Sequence, residues 1–145
     1  MNRNAQKIEN FRKRLRGICR VIEWKLFAGE WLSLEYGIIT GPHDGEYRYS
    51  RTKRKVCVNE RFLDAKADDP ELINIIFHEL VHGYIWAHYG NMGEALYHNT
   101  EFRDAAIAHG ATCSYRDDIH GWIDTELLPQ SLEKIQKELN AGQDR

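Results

Sequence analysis

The chain has 145 residues, 42% hydrophobic and 29% charged, which fits one globular domain, 1–145, with its own core. No apolar run reaches membrane-spanning length, the N-terminus lacks the apolar stretch of a secretory signal, and three scattered cysteines with no C-x-x-C argue against a disulfide framework or zinc ribbon. The net charge of −2 hides a split: residues 1–58 hold thirteen Lys/Arg against six Asp/Glu, and residues 59–145 hold seven against sixteen, so only the first part is suited to meeting phosphates.

Ile8, Phe11, Leu15, Ile18, Ile22 and Leu26 recur at three- and four-residue steps and predict an amphipathic helix of about six turns, ended by Gly29. Its other faces carry Lys7, Arg12, Lys13, Arg14, Arg16 and Arg20. Leu32, Leu34, Tyr36 and Ile38 alternate with Ser33, Glu35 and Gly37, a strand pattern. Gly41-Pro42-His43-Asp44-Gly45 is a turn by composition. Tyr47 and Tyr49, then Val56 and Val58, predict two more strands, joined by a basic connection with Arg51, Lys53, Arg54 and Lys55. Short strands before a long helix imply an α+β fold, with a small three-stranded antiparallel or mixed sheet packed on helices.

Asp68-Asp69-Pro70-Glu71 is a helix start, and Gly90 is a C-terminal stop. Between them Leu72, Ile73, Ile75, Ile76, Phe77, Leu80, Val81, Tyr84, Ile85 and Trp86 make the helix apolar nearly all round, so it is expected to be central and buried. Asn91-Met92-Gly93 reads as a loop, and 101–108 as a short helix capped by Asn99 or Thr100 and closed by Gly110. Residues 111–121 read as polar and irregular, and 131–139 as a final helix.

The central helix contains His78-Glu79-Leu80-Val81-His82. Histidines four apart share one helix face, roughly 6 Å apart along the axis, and both can reach one metal ion. Glu79 is turned about 100° from His78. That is too far to ligate the same ion, but it suits contact with a water at the metal. Buried without partners, each of the three would cost roughly 1–3 kcal/mol. The bland reading is a pair of ordinary core histidines.

A catalytic zinc needs a third protein ligand. His88 would stand about 15 Å along the axis from His78 if the helix continues. Glu94 and Glu101 are options of the gluzincin type, in which a glutamate on a following helix completes the set. His98, just before the 101–108 helix, is the fourth, and spacing alone leaves it only slightly ahead. His43, His109 and His120 read as surface or capping histidines. Tyr84 and Tyr97 are candidates to polarise a carbonyl, with core packing the simpler reading of Tyr84.

His78-Glu79-Leu80-Val81-His82-Gly83-Tyr84 and His98-Asn99-Thr100-Glu101-Phe102-Arg103-Asp104-Ala105-Ala106, with the strand-like Val56-Cys57-Val58-Asn59-Glu60-Arg61-Phe62-Leu63 upstream, resemble the SprT-like, Spartan-related zinc metalloprotease family. The likeness covers roughly residues 5–110. Tyr97 and Asn99 stand where that family has glycines around its third histidine, and the C-terminal zinc ribbon of bacterial members has no counterpart. The resemblance implies a zincin-like fold, Zn2+ held by His78, His82 and His98, Glu79 as general base, and peptide-bond hydrolysis in protein substrates, DNA-associated proteins among them. Arg12, Lys13, Arg14, Arg16, Arg51, Lys53, Arg54 and Lys55 give the DNA association local support as residues able to meet phosphates, against the plainer reading of a solvated basic face. The expected setting is cytoplasmic, nucleoid-associated or nuclear, with no membrane partner. The rivals are a gluzincin-type metallopeptidase without DNA association and a non-catalytic nucleic-acid-associated protein with a structural metal.

Overall fold

A computed structural model describes residues 2–90 and 98–143. The expected loop at 91–93, together with Glu94 and Tyr97, lies outside them. Helix α1 (Arg3–Leu26) starts under Asn2, whose side chain accepts the Ala5 N–H at 2.8 Å. Its apolar stripe, Phe11, Leu15, Ile18, Cys19 and Ile22, is completely buried. Left-handed residues Ala28 and Gly29 then turn the chain, and the Gly29 N–H returns to the Glu23 carbonyl at 2.9 Å.

Glu23 sets the path of the chain beyond this turn. Its buried carboxylate accepts the Leu32 N–H at 3.0 Å and the Ser33 hydroxyl at 2.8 Å, and pairs with Arg20 at 2.8 Å. The strand expected from Leu32 therefore begins only at Glu35, because Leu32 and Ser33 are bound to the helix instead. Strands β1 (Glu35–Ile39), β2 (Gly45–Tyr49) and β3 (Arg54–Asn59) form a mixed sheet in the order β1-β3-β2. β3 runs parallel to β1, with Val56 opposite Tyr36, and antiparallel to β2, with Val56 opposite Tyr47. Burial of four successive residues, Val56 to Asn59, suits β3 to the centre, since a strand covered on both faces loses the apolar–polar alternation. Asn59 also pins the β1–β2 turn: its side-chain amide donates to the Gly41 and His43 carbonyls at 2.9 and 2.8 Å.

Helix α2 (Pro70–Tyr89) starts as expected. Asp69 accepts the Glu71 and Leu72 N–H groups, Pro70 occupies the first turn, and Gly90 stops the helix in the left-handed region. It is the hub of the fold, packing on α1, β2 and β3, on the helix that follows it and on the last strand. Helix α3 (Thr100–Ala108) is capped by Asn99, which accepts the Phe102 N–H at 3.0 Å. The segment expected to be irregular instead contributes β4 (Ala111–Ser114), antiparallel to β5 (Asp124–Leu127). The apolar signal is weak there because this small hairpin buries only Ala111 and Leu127. Helix α4 (Pro129–Gln143), longer than predicted at both ends, packs on α1. The architecture is α+β, and among the described residues no helix is long and apolar enough to cross a membrane.

Candidate metal centre

His78, Glu79 and His82 lie in the middle of α2, and His98 comes from the turn leading into α3. The Nε2 of His98 stands 3.1 Å from the Nε2 of His78 and 3.1 Å from the Nε2 of His82. His98 takes a left-handed backbone (φ 54°), unusual for a residue with a side chain, and its carbonyl accepts the Trp122 N–H at 2.8 Å. The fully buried Phe102 ring packs against all three imidazoles, with centroids 4.7–5.0 Å away, and closes the inner side of the cluster to water.

Burial drives the three rings neutral. It takes His78 down to about 3, helped by the neighbouring His98, and His82 well below the ordinary imidazole value. His98 falls to about 4 through burial and the positive Arg116 nearby. Three neutral rings have three N–H protons among them, and a proton on His98 Nε2 cannot lie along both of its 3.1 Å contacts. With every Nε2 deprotonated, three lone-pair donors lie within 4.8 Å of one another, an arrangement a divalent cation would satisfy. A tetrahedral zinc with Zn–N bonds of about 2.0–2.1 Å holds its nitrogens roughly 3.3 Å apart; the two spacings to His98, 3.1 Å each, are close to that, and the third lies within the same 4.8 Å. Among the described residues, the group of donors able to share an ion is His78, His82 and His98.

Glu79 is 5% exposed, and burial pushes its carboxyl up to about 8, with the negative charge of Glu46 adding to the effect. Strand β2 begins directly on it: a Cβ at Gly45 would come within 2.9 Å of Glu79 Oε2. Glu79, His78 and His98 line a cleft of about 570 Å³. One wall is the β1–β2 turn, Pro42 to Gly45, and the other is Arg116, Ile119, His120 and Ile123 from the β4–β5 loop.

Among the described residues, none of the other candidates joins the three imidazoles. His88 bonds Glu30 at 2.8 Å near the end of α2. Tyr84 packs on Phe27, His88 and His109. Glu101 sits in the first turn of α3. His109 caps α3 with Nδ1 on the Ala105 carbonyl at 2.6 Å, and His120 bonds Asp117 at 2.8 Å. Of the basic residues, Arg12, Lys13, Arg16 and Lys55 come together around one shallow depression, which Glu9 and Glu35 also line. Arg14 instead donates to the Leu63 carbonyl at 3.1 Å and Arg54 to the Trp31 carbonyl at 2.7 Å, while Arg51 and Lys53 sit in the exposed turn after β2. Sequence reasoning missed the contribution of the β4–β5 hairpin: Thr125 Oγ1 lies 3.0 Å from His78 Nδ1, and Gly121 and Trp122 contact the His98 backbone. The only signal was the alternation of Ile123, Thr125 and Leu127, too short to stand out.

No protein-family model, curated protein or solved structure matches the chain.

Proposed function

We propose that the chain is a zinc-dependent metallopeptidase with a zincin-like architecture, akin to the SprT-like proteases, that hydrolyses peptide bonds in protein substrates. The observation that carries this reading is the meeting of three neutral imidazoles, at 3.1 Å contacts, beside a buried carboxyl in an open cleft. His78, His82 and His98 would hold the ion. Zinc bound there would supply Lewis acidity, making a water acidic near pH ~7 and polarising the scissile carbonyl.

The chain's own residues do the rest. Glu79 accepts the proton of the attacking water on its carboxylate and returns it to the leaving amine. A nearby cation opposes the burial that otherwise keeps Glu79 protonated, so the carboxylate becomes a base only when the site is loaded. Phe102 keeps water from the inner side of the rings, and the cleft walls hold the substrate chain. Association with DNA-bound substrates draws support from the cluster of Arg12, Lys13, Arg16 and Lys55. The free cysteines accord with a cytoplasmic setting.

The test compares wild type with Glu79→Gln on casein after zinc loading. The expected result is equal bound zinc and a loss of turnover of about 10²–10⁴-fold. Undiminished cleavage by the variant would remove Glu79 from the mechanism, and absence of bound zinc in the wild type would remove the metal centre itself.

A further inference from the structure

The helix alone fixes only the pair His78 and His82; the third imidazole arrives from another segment, so something must set the distance between them. The β4–β5 hairpin touches both sides. Thr125 Oγ1 lies 3.0 Å from His78 Nδ1. One turn earlier on α2, Asn74 Oδ1 accepts the Leu127 N–H at 2.7 Å, which anchors β5 along the helix that carries His78. At the other end of the hairpin, the Trp122 N–H donates to the His98 carbonyl at 2.8 Å. Gly121 (φ 67°) lies so close that a Cβ there would stand 2.6 Å from the same carbonyl oxygen. Trp122 is itself held, with Arg103 over its ring at 4.8 Å and its carbonyl accepting from Cys113 Sγ at 3.3 Å.

We propose that this hairpin is the clasp of the metal centre, and, resting on the three-histidine reading of that centre, that Thr125 is a positioning residue that sets the protonation pattern of His78. A neutral imidazole has one N–H. For His78 Nε2 to offer its lone pair to an ion, the proton must sit on Nδ1, where the Thr125 hydroxyl oxygen accepts it. The opposite polarity, with the hydroxyl donating to Nδ1, would place the proton on Nε2 and block the ligand. Metal binding therefore selects one direction of this hydrogen bond, and the hairpin delivers the acceptor on the same strand that braces α2. The Gly121–Trp122 corner holds His98 in its left-handed conformation, so the helix-borne and loop-borne ligands are set by one element.

The experiment uses the full chain stripped of metal, with zinc affinity read by competition against a chromophoric chelator. Thr125→Val keeps the shape and removes the acceptor, and is expected to weaken zinc binding by about 10–100-fold. Thr125→Ser, which restores a hydroxyl, is expected to recover most of that loss. Nitrogen-15 NMR of zinc-loaded wild type supplies a readout that needs no variant: His78 is expected as the Nδ1–H tautomer, with that proton protected from exchange. Unchanged zinc affinity in a folded Thr125→Val, or a His78 ring with no Nδ1 proton in the loaded protein, would overturn the clasp while leaving the three-histidine site standing. A wild-type chain that takes up no zinc would remove both.

Discussion

His98 shows how a site can override local preference. The left-handed backbone disfavours a side chain by roughly 1–2 kcal/mol, yet the histidine adopts it because the Trp122 hydrogen bond to its carbonyl and the Asn99 cap fix the chain from His98 onward. Glu79 is the second such residue. Held neutral to about 8 in the fold but ionising near 4.5 when unfolded, it leaves the native state binding more protons than the unfolded chain between those values, so its contribution to stability falls as pH rises through that window. The buried histidines act in the opposite sense. His78 and His98 fall to about 3 and about 4 from 6.5, so the native state binds fewer protons and stability is lost as pH drops below 6.5. Metal-free protein in chelator should therefore lose stability on both sides of a maximum. Glu79→Gln should gain on wild type as pH goes from about 5 to about 8, as read by urea unfolding. A difference between the two proteins that stays constant across that range would show that Glu79 is not the buried, neutral group described.

At the scale of elements, the strongly patterned parts were legible in the sequence. The α1 stripe, the Asp69–Pro70 start, the Gly90 stop and the Asn99 cap all arise from short-range rules that tertiary contacts reinforce. The misplaced start of β1 has a single cause, the buried Glu23 carboxylate, and a glutamate on an amphipathic helix gives no sign that it will bind a loop nine residues on. The β4–β5 hairpin was lost because short, half-exposed strands bury too little to pattern the sequence. His98 was separable from Glu101 in space, not in spacing: only the turn before α3 brings its ring inward. Gly83 is a point of close approach between α2 and β2. A Cβ there would stand 2.8 Å from the Tyr47 ring, which is tethered through its hydroxyl to the Leu32 carbonyl at 2.6 Å. Alanine improves helix propensity by about 1 kcal/mol, but overpacking a tethered ring outweighs that, and Gly83→Ala should lose about 1–2 kcal/mol net in denaturant titrations. A variant more stable than wild type would mean that the ring moves aside freely.

Over the whole molecule, charge and chemistry are divided. The basic depression of Arg12, Lys13, Arg16 and Lys55 is built from α1, β1 and β3, whereas the cleft is built from α2, two turns and the hairpin. Any DNA contact at that depression should be electrostatic. About four phosphate contacts give a log–log salt slope of about −3 to −4, and replacing Arg12 and Arg16 by glutamine should lower it by about 2. A binding curve indifferent to salt would assign the residues to plain solvation.

X-ray absorption at the zinc edge, on protein loaded with one equivalent, tests most directly whether one divalent ion is held by imidazoles from two separate segments. Ligation by His78, His82 and His98 predicts about three histidine nitrogens at about 2.0–2.1 Å, with one scatterer lost and a weakened site in His98→Ala. Sulfur in the first coordination sphere, or a spectrum unchanged by His98→Ala, would contradict it.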